Sequence, residues 1–238
     1  MRGASRRTSR GVPPRRPRRA KDEGDTTMIY ELRTYTLQPG KLNDYLKLNS
    51  EVGRKIRGDR YGRLAGSWTS ETGVLNQYVH LWEYPDLVER ERLRGELAKN
   101  EEWTRGYVSQ IRPFLLAQEN KILSPALPLK PPAEGSHVYE LRTYRAQVGR
   151  AGEWLGHYKA IMPTREKYSK IVGLFQTEAG QLNEVAHLWA YRDLNDRASV
   201  RGAAMKDPEW QAFIAKSAPL LVEMKSTILI PAPSSPMR

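Results

Sequence analysis

Apolar and polar residues alternate along "MIYELRTYTL" (residues 28 to 37), a segment rich in Tyr, Thr and Ile, and that period of two predicts a β-strand. The period then changes. "PGKLNDYLKLNSEVGRKI" begins with a Pro-Gly turn and places Leu42, Tyr45, Leu46 and Asn49 at helical spacing. Residues 63 to 71 and 74 to 84 return to a strand pattern around Glu71, Thr72 and Gly73, a Gly-containing connection expected to close a hairpin. Asp86 is placed to cap a helix to about Ala98, and Asn100 one through Gln110. A last strand is expected over roughly 117 to 124. The order is βαββαβ, a ferredoxin-like split unit.

The pattern is written twice. "YELRTY" at 30 to 35 recurs at 139 to 144, and "LNQYVHLWEYPDL" at 75 to 87 is echoed by "LNEVAHLWAYRDL" at 182 to 194. Gly40 matches Gly149. After a two-residue shortening in the second copy, Gly66 matches Gly173, Trp68 matches Phe175, Glu71 matches Glu178 and Gly73 matches Gly180. His80, Trp82 and Tyr84 then match His187, Trp189 and Tyr191, and Trp103 matches Trp210 within "NEEW" and "DPEW". In the second copy, Asp207 followed by Pro208 and Glu209 is a strong helix start. The expected organisation is a repeat over 28–124, a Pro-rich extended linker over 125–137, a second repeat over 138–231 and a tail over 232–238. A single unit covers one sheet face with helices and leaves the other open, so the two units are expected to bury their open faces on each other. The fold class is α+β, with tandem ferredoxin-like units pairing as a dimeric α/β-barrel.

Strand residues two apart share a face. Ile29, Glu31, Arg33 and Tyr35 therefore lie together, opposite Tyr30, Leu32 and Thr34. Tyr78, His80, Trp82 and Tyr84 share a face opposite Gln77, Val79 and Leu81, and the second copy places His187 and Trp189 opposite Ala186, Leu188 and Ala190. Small apolar side chains suit the surface beneath packed helices, which assigns the His-Trp-Tyr face to the space between the two sheets. With the first and third strands as central neighbours, Glu31, Arg33, Tyr35, His80 and Trp82 converge in one copy, and Glu140, Arg142, Tyr144, His187 and Trp189 in the other. Two readings stand side by side. In one these residues line a ligand pocket; in the other Glu and Arg pair, His hydrogen-bonds, and Trp fills a closed interior. Arg90 and Arg94, matched by Arg197 and Arg201, sit four apart on one helix and read as a solvated face.

Composition removes several classes of function. The chain has 238 residues and 39% hydrophobic content, enough for one substantial core or two small ones. No apolar run approaches the ~18 residues of a membrane span. With no cysteine, disulfides and thiolate chemistry are excluded, which fits a reducing cytoplasm. The histidines show neither HxH nor HExxH spacing, so no metal site is expected. No GxGxxG, P-loop or GxSxG motif is present, and no cofactor is called for.

The net charge of +12 resembles a nucleic-acid signal until it is located. Residues 1 to 27 hold eight Arg and one Lys against three acids, about half the excess. That segment has too little apolar content to pack and is expected to be disordered. It reads as an extension before a natural start at Met28, with a nucleic-acid-binding arm as the alternative.

The paired motifs "YELRTY" with "PGK", "GSWTSETGVLNQYVHLWEYPDL" and "NEEW" resemble the NIPSNAP family. The second copy keeps "YELRTY" and "DPEW" and replaces "PGK" with "VGR". The resemblance covers nearly everything from Met28 to Pro231, and it implies the dimeric α/β-barrel fold. Relatives of that fold include heme-degrading and antibiotic-biosynthesis monooxygenases, and eukaryotic members of the family are associated with mitochondria and vesicle trafficking. Two functions follow as expectations: a small-molecule-binding barrel, with or without cofactor-independent enzymatic activity, and a protein-interaction scaffold with a filled barrel. A homo-oligomer is compatible with either.

Overall fold

The computed structural model describes residues 28–133, 135 and 137–238. The expectations for residues 1–27 lie outside that range. Strands β1 (Ile29–Leu37), β2 (Arg63–Ser70), β3 (Gln77–Tyr84) and β4 (Leu115–Leu127) form the first repeat, and β5 (Val138–Ala146), β6 (Ile171–Ala179), β7 (Glu184–Tyr191) and β8 (Leu221–Pro231) form the second. They close into an eight-stranded antiparallel barrel in the order β1-β3-β2-β8-β5-β7-β6-β4. Two seams join the repeats. Ile122–Leu127 of β4 pair with β6, and Trp68–Ser70 of β2 pair with β8.

Each repeat wraps its helices on the outside of the barrel. A long helix covers residues 42–57 in the first repeat and Ala151–Arg165 in the second. Two more follow β3 at Leu87–Lys99 and 102–111, and two follow β7 at Leu194–Ala204 and Pro208–Ser217. The caps are the expected ones: Asp86 accepts from the Glu89 N–H, Asn100 from that of Trp103, and Asp207 from those of Glu209 and Trp210. The hairpins are looser than expected. β3 starts at Gln77, and the loop needs left-handed backbone at Gly73 (φ 82°) and Asn76 (φ 55°). β4 runs on to Leu127, so the first residues of the Pro-rich connection extend the strand that makes one seam. The tail lies against β2, where the Ala232 N–H donates to the Ser67 carbonyl and Met237 is buried.

The two faces of the sheet are the reverse of the sequence assignment. Leu32, Val79 and Leu81 pack with Ala186 and Leu188 in one cluster that draws on both repeats, and this is the barrel interior. Tyr78 instead packs with Tyr45 and Tyr107, and Trp189 with Trp154 and Tyr158, under the helices. The physical reason is width. Two sheets facing each other across a small barrel are filled mostly by short aliphatic side chains, whereas helices stand further off and need indole and phenol rings to fill the gap. Four rings also enter the barrel, Tyr30, Trp68, Tyr139 and Phe175, and Gly66 and Gly173 make room for two of them, since a Cβ there would collide with Trp68 or Phe175. About 10 Å³ of space remains inside, at the lower limit for one water.

Candidate functional site

The barrel interior is closed, and the cavities lie between sheet and helices, one in each repeat. The first, of about 280 Å³, is lined by Arg33, Tyr35, His80 and Trp82. The second, of about 230 Å³, is lined by Arg142, Tyr144, His187 and Trp189. All eight were among the ten candidates. The other two, Glu31 and Glu140, sit behind the walls with no exposure. Neighbouring strands bring each set together: Arg33 is in register with His80 and Glu31 with Trp82 on β1 and β3, and Arg142 with His187 and Glu140 with Trp189 on β5 and β7.

Glu31 anchors the first set. Arg33 donates to it at 2.8 Å, Arg90 also hydrogen-bonds it, and Arg94 lies 3.7 Å away. Glu140 accepts two bonds from Arg197, at 3.0 and 2.7 Å, and further bonds from Arg142 and Ser226, with Arg201 at 3.6 Å. The four helix arginines are therefore not a solvated face. Their stems cross the gap to a carboxylate that turned out to face the helices. Burial pushes the Glu31 pKa up, but the Arg90 hydrogen bond and the charges of Arg33 and Arg94 outweigh it and hold the carboxyl below its ordinary value. The same balance, with Arg197 and Ser226 as the hydrogen-bond donors, depresses Glu140 further.

The histidines are fixed in one tautomer. Trp82 Nε1–H donates to His80 Nδ1 at 2.7 Å, and Trp189 Nε1–H to His187 Nδ1 at 2.7 Å. An Nδ1 that accepts leaves the proton on Nε2, and both Nε2 atoms are buried without a partner. Burial, reinforced by Arg33, Arg57 and Arg94, lowers the His80 pKa well below the usual value, so the ring is neutral. For His187 burial and Arg142 act in the same sense, against Glu140. Each cavity wall thus contains a neutral imidazole whose buried Nε2–H has no acceptor among the described residues.

Two residues absent from the sequence candidates complete the walls. Arg57, only 4% exposed, lies over the Trp82 ring, and Arg165, 2% exposed, over Trp189. Arg57 donates to the Tyr61 carbonyl and the Tyr84 hydroxyl, and Arg165 to Ser169 Oγ. Neither has a carboxylate within ion-pair distance among the described residues, although each is buried. Burial brings the Arg57 pKa down to about 10, which still leaves it charged at neutral pH. A direct alignment of the repeats from Gly40 and Gly149 sets Arg57 opposite Glu166. The helix at 42–57 contains a π-helical turn, Asn49–Gly53, and is one residue longer than Ala151–Arg165. That inserted residue restores the correspondence of Arg57 and Arg165, and π turns of this kind recur at functional sites.

A family model described as NIPSNAP matches residues 30–128 and again 139–236. The chain belongs to the NIPSNAP family. It is 33% identical over 227 residues to human Protein NipSnap homolog 2, covering 90% of this chain and 76% of the relative. It is 34% identical over 217 residues to human Protein NipSnap homolog 3A, covering 89% and 86%. A solved structure from Fusobacterium nucleatum, provisionally described as a monooxygenase, shares the fold with TM-score 0.66 at 13% identity, over 87% of this chain and 93% of that one. Both NIPSNAP repeats of this chain carry the same Glu-Arg-His-Trp set with its added buried arginine. A wider groove of about 530 Å³ runs along the linker, but Lys130, Lys170, Glu166 and Asp196 give it charges of both signs and no comparable selectivity. No helix among the described residues is long and apolar enough to cross a membrane.

Proposed function

We propose that each repeat of this NIPSNAP protein binds a small anionic molecule, a carboxylate or phosphate, in the cavity between its sheet and its helices. One observation carries the reading: Arg57 and Arg165 are buried in the cavity walls with no carboxylate at ion-pair distance among the described residues. A buried charge with neutral partners only is costly, and an incoming anion removes that cost. Four arginines lie around Glu31 (Arg33, Arg57, Arg90 and Arg94), leaving a net of three positive charges, and the second site sets Glu140 against Arg142, Arg197 and Arg201 with Arg165 in the same cavity wall. The spare Nε2–H groups of His80 and His187 add a neutral donor for an oxygen. These histidines do not suit a general base, because Trp82 and Trp189 occupy the Nδ1 lone pair. Binding without proton abstraction is the reading they favour. The filled barrel matches one element of a scaffold role, but it leaves the outer cavities unexplained. The cysteine-free chain fits work in the cytoplasm.

The test is a thermal-shift panel of carboxylates and phosphates at fixed ionic strength, run on the wild type and on the double variant Arg57→Met/Arg165→Met. Stabilisation by at least one anion class in the wild type, lost in the double variant, supports the proposal. Equal shifts in both proteins, or none in either, contradict it.

A further inference from the structure

The two cavities are built on one plan but furnished differently. In the first, Arg54 and Arg112 join Arg33, Arg57 and Arg94, and no acidic side chain among the described residues lines it. In the second the lining arginines are Arg142, Arg165 and Arg201. The missing cations can be traced. Gln38 Nε2 donates to the Pro113 carbonyl at 2.8 Å, and Gln147 Nε2 to that of Pro219 at 2.8 Å, which makes "RPF" and "APL" equivalent and sets Ala218 in the place of Arg112. Among the described residues Arg112 has no ion-pair partner and is exposed at the rim, free to fold onto a bound anion. Arg54 is held by Asp59 at 3.2 Å, and Met162 stands at its position once the inserted residue of the π turn is allowed for.

The uncharged walls diverge in the same sense. In the first cavity Asn49 Nδ2 donates to Tyr107 Oη at 2.9 Å and Asn49 Oδ1 accepts from Tyr78 Oη at 3.2 Å, a hydroxyl-amide network at the back. In the second, Tyr158 replaces Asn49 and stacks on Trp154 with ring centres 4.5 Å apart, while Phe213 packs on Trp210 at 4.9 Å. Met205 and Met224 complete an apolar rim. Phe213 supplies no hydroxyl where Tyr107 does. Polar walls that hydrogen-bond keep a charged head group at little desolvation cost, whereas aromatic walls reward an apolar body.

We infer that the two sites have different specificities: the first takes a small, multiply charged anion, and the second takes a monocarboxylate carrying an aromatic or aliphatic body. This rests on the anion-binding reading above. The paired guanidiniums at the first site recognise a second negative charge that the second site has no cation to meet. The aromatic box at the second buries a hydrocarbon tail that the first would set against arginines.

Isothermal titration calorimetry on the full chain at fixed ionic strength, with phosphoglycolate and phenylpropionate as probes, distinguishes the outcomes. Phosphoglycolate should bind one equivalent, weakened about tenfold or more by Arg57→Met or by Arg112→Ala and unchanged by Arg165→Met. Phenylpropionate should bind one equivalent, weakened similarly by Arg165→Met and unchanged by the first-site changes. Arg112 is exposed, so Arg112→Ala remains informative if Arg57→Met misfolds, and Ala218→Arg should create phosphoglycolate affinity in the second repeat. Two equal equivalents of either probe would overturn the division of specificity while leaving anion binding intact. No binding of either probe would overturn both.

Discussion

The guanidinium carbon of Arg57 lies 3.2 Å from the centre of the Trp82 ring, while Trp82 spends its own N–H on His80 Nδ1. One indole therefore positions two groups of the cavity, a cation on its face and an imidazole at its edge. Trp189 does the same for Arg165, at 4.5 Å, and His187. Replacing Trp82 by Phe keeps a ring for the cation but removes the N–H, so His80 is free to change tautomer. Trp82→Phe should cost about 1–3 kcal/mol, read by urea unfolding, because His80 Nδ1 loses its donor in a buried site.

Arg57→Met should be nearly neutral for the protein without ligand. It removes a charge that burial opposes, at the loss of hydrogen bonds to Tyr61 and Tyr84. A change within about 1.5 kcal/mol in urea unfolding is expected, since the methionine keeps much of the packing volume.

Glu31 and Arg33 are not an isolated pair, and this sets the size of their mutational effects. Arg33→Ala leaves Arg90 and Arg94 on the carboxylate and should cost only about 1–2 kcal/mol. Glu31→Ala strands three clustered guanidiniums and should cost about 3–5 kcal/mol. Chemical denaturation of both variants checks the order; a larger loss for Arg33→Ala would show that the helix arginines contribute little.

Stability should fall in two stages on acidification. His80 and His187 have folded pKa values below their unfolded value near 6.5, so the unfolded chain takes up protons first and stability is lost as pH drops below about 6.5. The slope approaches about 1.4 kcal/mol per pH unit for each histidine once well below that value. Glu31 and Glu140, also depressed, contribute stability that is present above their unfolded pKa near 4.5 and lost below it. Denaturation free energies measured from pH 7 down to about pH 2 test this, and His80→Gln/His187→Gln should flatten the upper stage.

A repeat on its own should not stay monomeric. Leu32, Val79 and Leu81 would lose Ala186 and Leu188 and form an open apolar face. Residues 28–126 expressed alone should dimerise or precipitate, as read by light scattering; a stable soluble monomer would contradict the paired-sheet barrel.

The fold was legible because alternation and helical spacing are local signals and the chain states them twice. The clustering of Glu31, Arg33, His80 and Trp82 followed from strand parity. What parity cannot give is the sense of the face. Val79 and Leu81 suit either a narrow barrel or a helix-covered surface, and only the closed geometry decides between them. Arg57 and Arg165 escaped because a π-helical turn shifts the repeats by one residue just before them. Arg90 and Arg94 escaped with the face assignment, since a helix surface reads as solvated until a buried carboxylate is found beneath it.

The central claim is that anions enter the cavities beside Arg57 and Arg165. Crystals grown with bromobenzoate, measured at the bromine absorption edge, test it most directly. The account predicts anomalous density in the second cavity among Trp154, Tyr158 and Phe213, with the carboxylate within hydrogen-bond distance of Arg165 and His187 Nε2. Bromine peaks confined to the outer basic surface, with both cavities empty of ligand, would contradict it.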